Sequence, residues 1–148
     1  MPVQERVRDG LGESVVDWTE HSPRRIYITV SPQDLKDSVR LFFNDYGFRF
    51  SIATGTDTPE SIELTYHFSS DETGHLFSLR VHLTDKENPR VDTISDIITG
   101  ANWIEREMWE LLGVDFAGHP NLKRLLLSDD WPEGNYPLRN TQEKPGKD

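Results

Sequence analysis

The clearest pattern in this sequence is an alternation of apolar and polar residues over residues 62–68, which recurs over residues 77–83. Between the two segments, residues 71–74 read Asp-Glu-Thr-Gly, a composition typical of a tight turn. With the turn there, Phe68 lies opposite Phe77 and all the apolar residues share one face, whereas a slip of one residue would put the two apolar sets on opposite faces. The pattern therefore predicts an antiparallel β-hairpin in this register.

Two further strands and a helix are predicted before the hairpin. Apolar residues alternate over residues 26–30 and over residues 48–52, and the second of these strands is expected to end at a loop, residues 53–59. Between the two strands, Ser31 followed by proline is typical of a helix start, and apolar residues at helical spacing continue to Tyr46. The predicted order is strand, helix, strand, hairpin.

A second helix is predicted from Asn102 to the glycine at position 113, because apolar residues recur there at helical spacing. Asn102 with Glu105 three residues later has the spacing of a capping box, in which each side chain binds the other residue's backbone N–H. The polar residues 84–92 are expected to connect the hairpin to this region. From Val114 onward the chain is punctuated by Pro, Gly and Asp, which predicts irregular structure.

These elements describe an α+β fold: a small, mostly antiparallel sheet with helices on one face, followed by an extended C-terminal arm. The compact α/β domain is expected over residues 25–112. Residues 1–24 have sparse apolar positions and are interpreted as an N-terminal arm or a short helix. Residues 113–148 have too little apolar content to fold alone, and they are predicted to form an extended arm that binds a partner.

Composition and charge exclude several classes of protein. The 148 residues include no cysteine, which removes disulfides, thiol nucleophiles and thiolate ligands for zinc or iron–sulfur clusters. The 26 Asp and Glu residues against 16 Lys and Arg residues give a net charge of −10, which disfavours binding to nucleic acids and anionic lipid surfaces. No apolar run approaches the ~20 residues of a membrane span, and the N-terminus lacks the apolar core of a secretory signal, so a cytosolic location is expected.

The histidines do not predict a metal site. On the hairpin register, His67 and His82 share the polar face but lie ~13 Å apart along the strands, too far for one ion. The sequence contains no phosphate-binding loop, no His-Glu-x-x-His motif and no Gly-x-Ser-x-Gly motif. A small acid/base enzyme on the sheet face is the alternative left open, and it requires a closed pocket around Glu63, His67, Arg80 and His82.

One helical segment, from Glu105 to Leu112, concentrates charge beside large aromatic residues. An ordinary exposed helix, with Arg106 and Glu110 paired one turn apart, would account for the charges. It would not account for Trp103, Trp109 and Trp131 on polar or irregular segments. Because Trp and Arg dominate the centres of protein interfaces, this region is predicted to contact another protein.

Residues 102–139 resemble the signature region of the 30 kDa subunit family of respiratory complex I (NADH-quinone oxidoreductase) and of related membrane-bound NiFe hydrogenases. In the family pattern, Glu-Arg-Glu is followed at fixed spacings by an acid, two aliphatic residues, a histidine, a base and two more aliphatic residues. The matching residues here are Glu105, Arg106, Glu107, Glu110, Leu111, Leu112, His119, Lys123, Leu125 and Leu126. The strand and helix order over residues 25–92 also resembles the α/β domain of that family.

The resemblance implies a subunit that binds no cofactor itself and that scaffolds the hydrophilic arm of a complex-I-like ion-translocating oxidoreductase. It implies docking on the large hydrogenase-like (49 kDa-type) subunit, which forms the quinone or NiFe site, near small iron–sulfur subunits on the cytoplasmic side of the cell membrane. No residue of this chain is expected to be catalytic or to bind metal. The residues expected at the subunit interface are Trp103, Glu105, Arg106, Glu107, Trp109, Glu110, His119, Pro120, Lys123, Arg124, Asp129, Asp130, Trp131, Pro137, Leu138 and Arg139.

At two places the sequence departs from the pattern of the quinone-linked members of the family. After Pro-Leu-Arg, the quinone-linked members continue with a base, an acid and an aromatic residue, whereas Arg139 is followed here by Asn-Thr-Gln. The loop at residues 54–58 also lacks the Asp-Tyr pair typical of those enzymes. The quinone-linked branch and the ferredoxin-linked hydrogenase branch therefore both stay open, as does a soluble adaptor unrelated to respiration.

Overall fold

A five-stranded sheet in the order β1-β2-β5-β4-β3 lies at the centre of the computed structural model, which describes residues 1–123, 132 and 134–139. Strands β2 and β5 run parallel, and the other three neighbouring pairs are antiparallel. The predicted α+β class with a small, mostly antiparallel sheet is confirmed. The strands are β1 (Val15–Ser22), β2 (Arg25–Val30), β3 (Arg49–Asp57), β4 (Ile62–Ser69) and β5 (Leu76–Leu83).

The β4–β5 hairpin has the predicted register, since Phe68 pairs with Phe77 and Ile62 pairs with Leu83. The apolar side chains of both strands are buried on one face of the sheet. The ring of Phe48 stacks on that of Phe77 with 5.3 Å between the ring centroids. The hairpin therefore supplies the middle of the hydrophobic core.

Three helices contribute to this core: α1 (Val3–Leu11), α2 (Leu35–Arg40) and α3 (Ala101–Leu112). A short 3₁₀ helix (Gly12–Ser14) follows α1, another (Pro32–Asp34) precedes α2, and a π-helical turn (Leu41–Asp45) continues α2. The first predicted helix is thus a continuous helical segment of changing pitch. Its buried Phe42 packs edge-on against Phe68, with 5.4 Å between the ring centroids.

Three segments for which the sequence predicts loops or irregular chain are strands in the structure. β3 continues through residues 53–57. β6 (Arg90–Asp92) pairs in parallel with β7 (Asp115–Ala117) in a separate two-stranded sheet. β6 and β7 have three residues each and lie far apart in sequence, so they show no local alternation that would predict a strand. The Thr-Gly-Thr of β3 is typical of loops, which is why the end of this strand was not predicted.

The N-terminal residues pack against the same core. α1 buries Val3, Val7 and Leu11, which recur at the four-residue spacing of one helix face. β1 pairs with β2 through two register shifts and forms one edge of the sheet. β3 forms the opposite edge, and α3 packs beside it.

Candidate functional site

Helix α3 carries the Glu-Arg-Glu motif and packs closely on β3. One side of the helix, which includes Ala101, Met108 and Leu112, is buried against the core. The Leu112 side chain packs against Gly55 in β3, where a Cβ atom would lie 2.5 Å from Leu112 Cδ1. A side chain at Gly55 would therefore require the Leu112 side chain of α3 to move.

The carboxylate of Glu105 is enclosed beneath α3. It accepts hydrogen bonds from the hydroxyl of Thr93 and from the backbone N–H of Ile94, the latter at 2.9 Å. The predicted capping box is wrong: α3 begins at Ala101, after Gly100, with no side-chain cap. Burial raises the pKa of Glu105 to about 7, although the two hydrogen bonds oppose this rise.

His119 comes from the loop after β7 and packs against the same carboxylate. Its Nδ1 accepts the backbone N–H of Asn121 at 3.0 Å, which places the ring proton on Nε2. Nε2 then donates to the backbone C=O of Asn102 at 3.1 Å and lies 3.9 Å from Glu105 Oε1. Both side chains are almost fully shielded from solvent. Two residues of the signature motif thus fix the chain after β7 to the first turns of α3.

The other charged and aromatic residues of α3 point in different directions. Trp103 is 60% exposed, and the guanidinium carbon of Arg106 lies 5.3 Å from the centre of its indole ring. Glu107 is exposed, Trp109 is partly buried and Glu110 is buried. The interpretation of this segment as an ordinary exposed helix is wrong, because Arg106 and Glu110 are both shielded from solvent.

A second polar cluster fixes the chain at the C-terminal end of α3. The backbone N–H of Leu138 donates to the C=O of Leu111 at 2.9 Å. The guanidinium of Arg139 donates to the C=O of Leu112 at 3.1 Å and to the C=O of Lys86 at 2.6 Å. The predicted site residues Leu138 and Arg139 therefore bind their own chain, beside α3.

Arg139 also completes a buried ion cluster with Asp57 and Lys86. Lys86 Nζ lies 2.6 Å from Asp57 Oδ1, and Arg139 Nε lies 3.9 Å from Asp57 Oδ2. The side chain of Asp57 is 1% exposed and that of Arg139 is 8% exposed. Sequence reasoning missed both residues, because Asp57 is an isolated acid at a strand end and Lys86 is one of several charges in a polar connection.

The remaining predicted interface residues lie in the C-terminal part of the chain. Pro120 and Lys123 are exposed, Pro137 is partly buried, and the C=O of Lys123 accepts a hydrogen bond from Arg106 Nε at 3.3 Å. Outside the described residues lie Arg124, Asp129, Asp130 and Trp131. A contact of any of these residues with another subunit stays a prediction.

The polar face of the sheet, where the acid/base enzyme would have its site, is open to solvent. Arg80 Nε lies 3.0 Å from Glu63 Oε1, and the side chains of Glu63, Arg80 and His82 are 26%, 29% and 41% exposed. His67 Nδ1 lies 2.8 Å from the hydroxyl of Ser78, and burial is the main cause that lowers the pKa of His67. Among the described residues, Glu63 pairs with Arg80 and His67 with Ser78 across the strands, and this partly exposed face lacks the closed pocket that the enzyme hypothesis requires.

Metal-binding clusters and membrane-spanning helices are both missing from residues 1–123, 132 and 134–139. In this part of the chain, no group of three His, Asp or Glu side chains is arranged to hold a metal ion. None of its helices has the length and apolar character needed to cross a membrane.

Comparison with known proteins identifies a family and several relatives. The model of the family described as "Respiratory-chain NADH dehydrogenase, 30 Kd subunit" matches residues 28–148. The beta subunit of the membrane-bound hydrogenase of Pyrococcus furiosus is 33% identical over 136 residues, 89% of this chain and 78% of that protein. The C subunit of the NADH-quinone oxidoreductase of Rhodobacter capsulatus is 32% identical over 142 residues, 92% of this chain and 66% of that protein.

Some relatives are much longer than this chain. The C/D subunit of the NADH-quinone oxidoreductase of Bacteroides thetaiotaomicron is 36% identical over 105 residues, which are 69% of this chain but 19% of that protein. The C subunit of the NADH-quinone oxidoreductase of Ruegeria pomeroyi is 36% identical over 118 residues, which are 76% of this chain and 57% of that protein. The chain thus spans less than two thirds of the length of these two curated relatives.

Solved structures share the fold. A chain of the membrane-bound sulfane sulfur reductase, an archaeal respiratory membrane complex, matches with a TM-score of 0.81 at 25% identity, over 93% of this chain and 81% of that chain. A trypsin-resistant fragment (1–134) of Nqo5 matches with a TM-score of 0.66 at 25% identity, over 81% of this chain and 96% of the fragment. The resemblance carried by the Glu-Arg-Glu motif and its surroundings is therefore confirmed. The chain belongs to the family of the 30 kDa subunit of the respiratory-chain NADH dehydrogenase, a family of subunits of complex-I-like oxidoreductases.

Proposed function

We propose that this chain is a non-catalytic scaffold subunit in the hydrophilic arm of a complex-I-like ion-translocating oxidoreductase. It docks on the large hydrogenase-like subunit, beside the small iron–sulfur subunits, and residues 113–148 contribute the arm that binds them. The family match and the names of the relatives support assembly into a complex of this kind. The outer surface of α3 supports the docking position.

The observation that carries the docking position is the pair of Trp103 and Arg106 on the signature helix. An indole that is 60% exposed leaves a large apolar area in water, which burial against a partner would remove. The stacked guanidinium of Arg106 holds the ring in one orientation before binding. A pre-ordered aromatic residue loses little conformational entropy on association, which is typical of residues at the centre of an interface. Glu107, exposed on the same helix, adds a charge for an ion pair between subunits.

The redox cofactors belong to the partner subunits in this proposal. The chain has no cysteine to supply thiolate ligands, which iron–sulfur clusters require in most proteins. The iron–sulfur clusters, and a NiFe centre in the hydrogenase branch, would therefore be held by neighbouring chains. The subunit itself would attach peripherally on the cytoplasmic side of the membrane.

Trp103→Ala is expected to weaken association with the complex about 30-fold, the loss that accompanies truncation of an interface hot spot. The measurement is the amount of affinity-tagged chain that co-purifies with the large subunit from host membranes at equal expression. Trp18→Ala is the matched control, because the guanidinium carbon of Arg8 in α1 lies 5.1 Å from the centre of the Trp18 ring on β1, a similar pair away from α3. Circular dichroism checks that both variants are folded. If the two folded variants then associate with the complex equally, the docking position is contradicted.

The metal content of the tagged complex tests the proposal as a whole. Co-purification with the large subunit and with iron is the expected result in either branch of the family. Stoichiometric nickel would then identify the hydrogenase branch, and quinone reduction without nickel would identify the quinone-linked branch. A chain that purifies from its host without a large subunit and without iron would contradict the proposal and favour a soluble adaptor.

A further inference from the structure

Exposed apolar side chains gather around helix α3. The large apolar side chains that are exposed among the described residues are Met1, Val16, Ile52, Trp103 and Leu138. A single exposed apolar residue is ordinary, but Ile52, Trp103 and Leu138 come from three separate parts of the chain and lie on or beside one helix. Such a gathering is typical of a surface that another protein covers.

Two of these residues, Ile52 and Leu138, line an apolar groove between β3 and α3. They are 49% and 52% exposed. The rest of the lining comes from the strand and the helix: Ala53, Thr54, Gly55, Ile104, Glu107, Met108, Leu111 and Leu112. The cavity measures about 210 Å³, below the roughly 300–1,000 Å³ of small-molecule sites. A single apolar side chain therefore matches the groove better than a cofactor does.

The walls of the groove are held in place by contacts within the chain. The backbone N–H of Leu138 donates to the C=O of Leu111 at 2.9 Å. The guanidinium of Arg139, the next residue, donates to the C=O of Leu112 at 3.1 Å. The groove is thus formed before a partner binds, and filling it orders few further groups of this chain, which favours association.

Glu107 is the charged residue that lines the groove, and its side chain is exposed. The ion pairs within residues 1–123, 132 and 134–139 do not include it. No cation lies at the spacing of a helical ion pair, since the residues three and four positions away are Trp103, Ile104, Glu110 and Leu111. Trp103 lies one turn before Glu107, so the groove adjoins the proposed docking surface. A partner of complementary charge presents a basic residue here.

We propose that the groove receives one apolar side chain of the large hydrogenase-like subunit, and that a Lys or Arg residue beside that side chain pairs with Glu107. This inference rests on the proposed function and adds a second anchor next to Trp103. Burial of Ile52 and Leu138 against the inserted side chain removes apolar surface from water, which stabilises the complex. The pairing with Glu107 selects the segment of the partner that can bind, because an acidic residue in its place would be repelled.

Site-specific crosslinking in the assembled complex identifies the occupant, and the absence of cysteine makes the labelling specific. Thr54→Cys places a single thiol at an exposed residue that lines the groove, and Thr19→Cys places one on β1 as the matched control. A maleimide photo-crosslinker on Thr54→Cys should join one peptide of the large subunit in which an apolar residue lies beside Lys or Arg. Crosslinks only to this same chain, to a second copy of it, to another subunit or to the same peptides as the control would each overturn the proposal.

Charge reversal on both subunits tests the pairing of Glu107. Glu107→Lys should reduce co-purification with the large subunit at least about tenfold, whereas Glu13→Lys, at an exposed acid after α1, should leave it unchanged. Replacement of the basic residue in the crosslinked peptide by Glu should then raise the association of Glu107→Lys at least about threefold. Full association of Glu107→Lys, or a loss that the second reversal does not relieve, would overturn the proposed pairing.

Substitution of the exposed apolar residues separates this inference from the proposed function. Ile52→Ser and Leu138→Ser are each expected to reduce co-purification with the large subunit at least about tenfold, since each removes part of the apolar wall of the groove. Val16→Ser, at a residue that is 68% exposed on β1, should leave co-purification unchanged. A complex that assembles normally with both groove variants would overturn the insertion and leave the proposed function standing, whereas a wild-type chain that joins no complex would overturn both.

Discussion

Asp57→Ala should lower the free energy of unfolding by about 3–5 kcal/mol, the cost of removing one partner from a buried ion pair. Without this carboxylate, Lys86 and Arg139 keep their charges and lose the negative group that they share. Their hydrogen bonds to the C=O groups of Thr58 and Leu112 satisfy donors but do not neutralise charge. The repulsion between the two cations then favours separation of Arg139 from the end of α3.

Urea denaturation of the full chain measures this loss. Asp71→Ala is the matched control: Arg49 Nη2 lies 2.8 Å from Asp71 Oδ1, but both side chains are more than two thirds exposed. Such an exposed pair contributes about 0–1 kcal/mol. Arg139→Met should cost less than Asp57→Ala, because Asp57 keeps Lys86 at 2.6 Å. The reverse order of the two costs would show that Asp57 is not the shared centre of the cluster.

The hairpin and its register could be predicted from the sequence because all the information is local. Two alternating segments flank a short turn, and a single register places Phe68 opposite Phe77 with both residues in the core. The helix around Phe42 was predictable for the same reason, since its apolar residues recur every three or four positions. Elements of this kind depend little on the rest of the chain.

The edges of the sheet could not be predicted in the same way. The last residues of β3 include Thr54 and Gly55, which are typical of loops, and they form a strand because β4 pairs with them and α3 packs closely over the glycine. β6 and β7 hold Val91 and Phe116 in the core, yet each has only three residues. Their pairing depends on contacts across more than twenty residues of chain, which no local pattern records.

The signature motif indicated the right residues for the candidate site but not their contacts inside the chain. The spacing of Glu105 and His119 marks a family, and the structure shows that the two side chains meet beneath α3. The ion cluster of Asp57 and Lys86 was beyond sequence reasoning, because an isolated acid at a strand end resembles any surface acid. Only burial of the carboxylate to 1% exposure distinguishes Asp57.

The buried polar contacts fix α3 to the rest of the fold, as the proposed docking role requires. Glu105 fixes the start of the helix to Ile94, and Arg139 fixes its end at the C=O of Leu112. Between these points, the side chain of Leu112 packs against Gly55 at the sheet edge. A helix held at both ends and along one side presents its exposed groups in a single arrangement, which lowers the entropic cost of docking.

Glu105 should make the stability of the chain depend on pH near neutrality. Burial is the main cause that raises its pKa from 4.5 to about 7 in the folded state; the hydrogen bonds from Thr93 and Ile94 lower it, Asp96 raises it and Lys36 lowers it. Between these two pKa values the folded chain binds a proton that the unfolded chain has released, so the free energy of unfolding falls as the pH rises. The contribution, about 3 kcal/mol, is fully present below about pH 4.5 and is lost as the pH rises through about 7.

Glu105→Gln should remove most of this slope. The amide oxygen can accept the N–H of Ile94 while the NH₂ group donates to the hydroxyl of Thr93, an arrangement that the protonated carboxyl group also adopts. At about pH 8 the variant should be more stable than the wild type, and at about pH 5 the two should be nearly equal. Urea denaturation across this range measures the difference, with Glu107→Gln, at an exposed residue of the same helix, as the control that keeps the wild-type slope. A slope that survives in Glu105→Gln would assign the pH dependence to another group and would mean that the carboxylate stays ionised beneath α3.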